Sequence, residues 1–215
     1  MIYEERRITV EPRAVQDFLK VGREETWPRL KESGGALLCL MGGMIGAGAN
    51  ELVQISRFED LEVWERSAGA YTASRSKLVR DEVAQPLRAV SSRPRAALSD
   101  DDKRPVYGYR RFYIRYEDIE DFSRDSEQGV WVRFEAHNAR ILGLWTTIAR
   151  TEPQEIILAT GYTGPGHWEA TRGGLEKPAG FDEEAWRRAG EIGSGRGALT
   201  LRSSVNLMRA IEWGE

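Results

Sequence analysis

The chain predicts an α+β fold in which one βαββαβ unit is used twice. Two observations carry this. The first is an internal repeat. Shifted by 104 positions, residues 3–67 fall on 107–171 without a gap and give 12 identities in 65 positions: Tyr3/Tyr107, Arg6-Arg7/Arg110-Arg111, Asp17-Phe18/Asp121-Phe122, Trp27/Trp131, Arg29/Arg133, Leu38/Leu142, Leu40/Leu144, Glu51/Glu155 and Trp64-Glu65/Trp168-Glu169. The two tryptophan pairs weigh most because tryptophan is rare, and a repeat of this length means a duplicated structural unit. The second is that each copy alternates strand-like and helix-like patterns in one order.

The elements follow in chain order. Residues 2–10 and 106–114 are rich in β-branched and aromatic side chains and read as the first strand. A helix starts near Pro12 or Arg13, since proline suits a first helical turn; Val15, Phe18 and Leu19, and in the second copy Ile119 and Phe122, recur at helical spacing. Pro28 is expected to end or kink it near Trp27, whereas the second copy has Val132 and continues to His137. Gly34-Gly35 and Asn138-Ala139 mark the helix ends. Strands follow over 36–45 and 140–149, then 51–58 and 155–162. A second helix starts near Asp60 and runs to about Val83; in the second copy it starts near Pro165 and is best formed over 182–192, with Asp182 as N-cap. A last strand is placed over 87–97 and 198–208. Gly42–Gly48 and Gly193–Gly197 are expected to be loops. The units therefore span 1–98 and 106–215, joined by a charged, apolar-poor linker at 99–105. Each has the ferredoxin-like order. Helices cover one face of such a sheet, and the bare faces of the two units would bury each other.

Composition narrows the function. The 215 residues are 40% hydrophobic and 30% charged, with formal net charge −3. That balance excludes wholesale disorder, and the acidic excess speaks against nucleic-acid binding. No apolar run reaches the roughly 20 residues of a spanning helix, and the mixed charges of residues 1–10 are not those of a secretory signal. Cytoplasmic localisation is expected. A lone Cys39 cannot form an internal disulfide or a multi-cysteine metal site, and it reads as a small buried hydrophobe. No phosphate-loop, dinucleotide or zinc-protease motif occurs; neither metal nor cofactor is called for.

The opening Tyr3-Glu4-x-Arg6, Trp27-Pro28-Arg29 at the helix end, Trp131-x-Arg133-x-Glu135, Leu142-Gly143-x-Trp145, Gly161-Tyr162 and His167-Trp168-Glu169-x-x-Arg172 resemble the NIPSNAP family, as two tandem units covering nearly the whole chain. The resemblance implies the dimeric α/β-barrel superfamily, in which two ferredoxin-like units pack sheet to sheet around a cavity. That group includes cofactor-free monooxygenases, isomerases and haem-degrading enzymes. The copies depart from each other: Gly108 stands where the first has Glu4, and Trp145 where it has Met41. Unequal halves suit one asymmetric site.

Arg6 and Arg110 lie mid-strand at matched positions. They either hold an anionic or carbonyl substrate, which the guanidinium fork suits, or pair with Glu4 or Glu51-type carboxylates as structural ties. On the third strand, Gln54, Ser56, Thr160 and Tyr162 alternate with an apolar set expected to face the helices. That would turn the polar set toward the other sheet, together with Met41 and Trp145 as cavity walls or core. His167, after Gly164-Pro165-Gly166, is a candidate acid or base, and His137 reads as a helix-end cap. The expected catalytic residues are Arg6, Arg110, Tyr162 and His167; the expected substrate-binding residues are Glu4, Met41, Gln54, Ser56, Trp145 and Thr160. The expected function is a cofactor-free oxygenase, isomerase or lyase acting on a small, largely apolar or aromatic molecule in an inter-sheet cavity. The alternative is a non-catalytic ligand-binding or assembly barrel. Haem binding is weaker, as neither histidine has an obvious strand-facing position. Duplication allows a monomer that is its own pseudo-dimer, or a homo-oligomer through free sheet edges.

Overall fold

A computed structural model describes residues 1–95 and 98–213. The chain divides into two compact units, Met1–Arg88 with the tail from Met208, and Ala89–Leu207. In the first unit the strands are β1 (Ile2–Val10), β2 (Ala36–Ile45), β3 (Glu51–Phe58) and β4 (Val79–Ala89), and the longer helices are α1 (Val15–Val21), α2 (Trp27–Glu32) and α3 (Leu61–Arg66), with a single turn, α4 (Ala73–Ser76), before β4. The second unit has β5 (Val106–Ile114), β6 (Arg140–Thr147), β7 (Gln154–Tyr162) and β8 (Arg202–Ala210), with α5 (Ile119–Asp125), α6 (Trp131–Ala136), α7 (Pro165–Ala170) and α8 (Glu183–Leu199). The strand order is β4-β1-β3-β2 in the first and β8-β5-β7-β6 in the second. The pairings within each are antiparallel, and the repeat holds residue by residue: Arg6 faces Gln54 and Arg110 faces Leu158.

Side-chain alternation along the strands decides which residues meet the helices. On β1, Ile8 and Val10 pack with Phe18, Leu19, Trp27, Leu40 and Leu52. On β5, Phe112 and Ile114 pack with Ile119, Phe122, Trp131, Leu144 and Leu158. The helix-facing set is therefore Glu4, Arg6 and Ile8 in one unit and Gly108, Arg110 and Phe112 in the other. Left-handed residues end the first helical segment of each copy at matched positions, Gly34 (φ 93°) and Asn138 (φ 64°).

Four expectations are corrected. Pro28 does not end the helix. Gly22–Thr26 forms a π-turn in which the Trp27 N–H donates to Gly22 O, so the proline sits in the first turn of a new helical segment, where a missing N–H is tolerated. The second copy has the same π-turn over Ser126–Val130. The second helix of the first copy stops at Arg66, and 79–83 pair as strand with β1. The last strand of that copy is accordingly 79–89, not 87–97; Ala96 and Ala97 lie outside the described residues. Finally, Gly193–Gly197 is helical. It completes α8, because Gly193 packs backbone to backbone on Gly129, where an added Cβ would lie 2.4 Å from Gly193 N. Gly42-Gly43 likewise belongs to β2.

Candidate functional site

In the first unit the space between sheet and helices is closed by a polar network. Glu4, 1% exposed, accepts two parallel hydrogen bonds from Arg6 (2.8 and 2.9 Å) and one from Trp64 Nε1 (2.7 Å). Arg6 also donates to Glu82 and lies 3.7 Å from the Tyr71 ring centroid. Arg75 donates to Glu82 (2.6 Å), Gln54 donates to Ser56 (3.0 Å), and Trp27 Nε1 donates to Gln54 (3.3 Å). Burial alone would lower the Arg6 pKa, but Tyr71, Glu4 and Glu82 outweigh it and raise it. Here the arginine's charge is met by Glu4 and Glu82. Glu4, Gln54 and Ser56 belong to the same closed network.

The second unit resolves the same space differently. Between its sheet and its own helices lies a cavity of about 290 Å³. Leu158 and Ile141 from the sheet, with Val130, Trp131 and Phe134 from the helical side, form its apolar wall; Arg110, Thr160, Tyr162, Thr171, Arg172 and Arg196 carry its polar atoms. The lining contains no carboxylate and no histidine. Gly108, in the place of Glu4, is what removes the carboxylate. It also admits the Tyr162 ring, since an added Cβ would lie 3.1 Å from Tyr162 Cε2 and 3.5 Å from the Trp168 indole.

Three buried polar atoms of this lining have no hydrogen-bond partner: Tyr162 Oη, Trp131 Nε1 and Arg196 Nη1. Buried polar groups are nearly always satisfied, and a local cluster of exceptions calls for a cause. Tyr162 lies close enough to Arg110 and Thr171 for both to favour its ionised form, yet burial dominates and raises its pKa. It is a neutral O–H donor at pH 7. Burial lowers the Arg110 pKa, with Tyr162 opposing and Arg172 reinforcing the shift. Arg196 is pushed down to about 10, by burial first and by Arg110 second, and stays cationic at neutral pH. It is also the deepest of the three, seated over the Phe112 and Phe122 rings at 5.1 and 5.7 Å.

The expected site residues therefore scatter. Arg110, Thr160 and Tyr162 meet in the cavity. Arg6, Glu4, Gln54 and Ser56 lie in the filled network of the first unit. Met41 pairs with Val53 and Trp145 with Ile157, on the sheet face opposite to Gln54 and to Thr160. The expectation that the polar set of the third strand looks toward the other sheet, with Met41 and Trp145 beside it, is thus reversed: the polar set meets the helices. The cause is that both faces of each strand are buried, so apolar alternation carries no directional signal. The cavity accordingly lies on the helix side of one sheet, not on the bare face. His167 stands behind Tyr162, ring to ring at 5.4 Å, its Nδ1 accepting the Thr163 N–H at 3.1 Å. It does not line the cavity. Burial lowers its pKa. His137 stands at the C-cap position of α6, but its side chain does not close that helix end: Nε2 lies 2.8 Å from Glu176 O in the segment after α7.

Arg172, Arg196, Trp131 and Thr171 are cavity residues absent from the expected set. A signal existed for Arg196: Trp186, Ala189, Gly193 and Arg196 recur at helical spacing, and extending the 182–192 helix along it would have turned Arg196 inward. Among the described residues no group of three His, Cys, Asp or Glu side chains could hold a metal ion, and no helix is long and apolar enough to cross a membrane.

No protein-family model matches the chain, and no curated protein matches it in sequence. Solved structures do. A candidate monooxygenase from Lactobacillus acidophilus superposes with TM-score 0.64 at 12% identity, over 97% of this chain and 93% of that one. Another from Fusobacterium nucleatum gives 0.57 at 8% identity, over 98% and 92%. An anthrone oxidase-like protein gives 0.56 at 12%, over 100% and 94%. The chain shares their fold. NIPSNAP-family structures are also among its neighbours, one from Burkholderia xenovorans matching 46% of this chain at 19% identity with TM-score 0.36.

Proposed function

We propose that this protein is an enzyme acting on a small, largely apolar or aromatic molecule held in the cavity of the second unit, by oxygenase, isomerase or lyase chemistry that needs no cofactor. The observation that carries the reading is the set of buried unpartnered donors, Tyr162 Oη, Trp131 Nε1 and Arg196 Nη1, around a cavity of about 290 Å³, where the first unit has an ion-paired network instead. Likeness to structures described as candidate monooxygenases favours the oxygenase member of the three classes.

These reaction classes share an early step, loss of a proton to give a delocalised enolate or phenolate. Donors fixed where that charge develops stabilise it without reorganising. In this reading Arg110 and Tyr162 supply these donors, Tyr162 its O–H and Arg110 its charge. With no carboxylate or histidine in the lining, the proton leaves to solvent, its loss favoured by the surrounding positive charge. An electron-rich anion of this kind can then reduce O₂ directly. Addition of O₂ at carbon, protonation and loss of water convert a CH₂ and O₂ into C=O and H₂O.

The test is a turnover screen of enolisable one- to three-ring aromatics and lactones, followed by absorbance and O₂ uptake, with Tyr162→Phe and Arg110→Met beside the wild type. Turnover that falls at least tenfold in both variants, with Tyr162→Phe no less stable than wild type, is expected. Tyr162→Phe removes a buried unpaired hydroxyl, so stability stays level or rises by up to ~1 kcal/mol. Turnover that survives both substitutions would sink the reading. Tight binding without turnover would instead favour a non-catalytic ligand-binding protein, the reading that the absence of a general base in the lining supports.

A further inference from the structure

The cavity of the second unit gathers three arginines and no acid. Arg110 comes from β5, Arg172 from the segment after α7, and Arg196 from the last turn of α8. Among the described residues none of the three forms an ion pair, and each lines the same cavity. The contrast with the first unit is chemical. There Arg6 and Arg75 face Glu4 and Glu82; here the matched position of Glu4 is Gly108, and three cations share a lining whose other polar side chains, among the described residues, are hydroxyls and the Trp131 indole N–H. Like charges brought together away from water are costly unless an opposite charge joins them. Arg196 contributes most to the puzzle, because its Nη1 is buried without a partner and the helix that carries it packs closely on Gly129.

Resting on the reading that this cavity is the substrate site, we infer that it selects small aromatic anions, the charged oxygens lying among Arg110, Arg172 and Arg196 and the ring against Val130, Trp131, Phe134, Ile141 and Leu158. Two planar guanidinium forks can each meet a carboxylate edge-on with paired hydrogen bonds. Arg172 is exposed while Arg110 and Arg196 are half-buried, so the cations run from the solvent side inward. Tyr162 adds an O–H donor to the same head group; the Thr171 hydroxyl already donates to Trp168 O at 2.7 Å. A volume of about 290 Å³ is at the small end of ligand sites and accommodates one or two fused rings.

The probes are 2-naphthoate and its neutral counterpart 2-naphthamide, compared by calorimetric titration and thermal shift on the full chain. Naphthoate is expected to bind at least tenfold more tightly than the amide. Arg196→Met should weaken naphthoate by tenfold or more while leaving the melting temperature of the free protein unchanged or higher, since it removes one of three mutually repelling charges and keeps the packing volume. Arg172→Ala, at an exposed position, should weaken it in the same direction. Arg187→Met, on the outer face of α8 and paired with Glu191, should change nothing. Equal binding of acid and amide, lost when Leu158→Trp fills the cavity, overturns the charge selectivity and leaves the cavity as the site. Naphthoate binding that persists in Leu158→Trp, or failure of every one- to three-ring arenecarboxylate to bind, overturns the cavity reading itself.

Discussion

Tyr162 and Phe58 occupy matched places on the third strand of each copy, and one hydroxyl separates a core residue from one that lines the cavity. Phe58 is 1% exposed and packs on Leu30 and Val63. Tyr162 is 0% exposed and carries an oxygen with no partner. Gly108 against Glu4 works with this difference, exchanging a carboxylate for room. Residue-scale burial also sets a pH limit. Burial pushes the Cys39 thiol up to about 12, and burial with Glu4 pushes the Tyr71 hydroxyl up to about 12. Both folded pKa values exceed the ordinary ones near 9 and 10, so folding retains protons that the unfolded chain releases. The stability these groups contribute is complete below pH 9 and is lost as the pH climbs from 9 to 12. Urea titrations at stepped pH should show this alkaline loss, and Cys39→Ala should delay its onset; an onset unmoved from wild type would contradict the assignment to the thiol.

At the scale of elements, α8 decides the site. Asp182 caps it by accepting the Ala185 N–H at 2.7 Å, and its buried side is Trp186 and Ala189, continued by Gly193. The Gly129–Gly193 approach draws α8 onto the π-turn that begins α6, and one turn later Arg196 enters the cavity. Gly129→Ala would place a methyl 2.4 Å from Gly193 N and 2.6 Å from its Cα. Overpacking of this kind costs about 1–3 kcal/mol. It should lower the melting temperature and also weaken naphthoate binding, because the helix that carries Arg196 must move away. A loss of stability with ligand affinity untouched would show that α8 does not position the arginine.

Across the whole molecule, the two copies have parted roles: one closes its sheet–helix space with matched charges and the other keeps it open with unmatched ones. Opposite responses should follow. Glu4→Gln weakens a buried pair and a tryptophan hydrogen bond, and breaking such pairs costs roughly 3–5 kcal/mol; denaturant unfolding should show most of that loss, with naphthoate affinity within twofold of wild type. Gly108→Glu restores the missing carboxylate beside Arg110 and crowds Tyr162. It should abolish anion binding. If Glu4→Gln instead abolished ligand binding at unchanged stability, the functional site would have to be sought in the first unit.

The repeat, the order of strands and helices, the paired helix ends at Gly34 and Asn138 and the inequality of Glu4 and Gly108 were all legible in the sequence, because each depends on local pattern or on the alignment of the chain with itself. Arg110, Thr160 and Tyr162 were singled out there too, and they share the lining of one cavity. What the sequence could not show was direction. Strands buried on both faces bear apolar residues on both, so nothing in their alternation says that Arg110 and Tyr162 turn toward helices while Trp145 turns away. Nor could it show that a glycine-rich run, ordinarily a loop, is the end of α8, since that helix exists through its backbone contact with Gly129, a residue 64 positions earlier. Tertiary packing alone brought Arg110, Arg172 and Arg196 to one cavity, because the charge each contributes is local while the absence of an answering acid belongs to the fold.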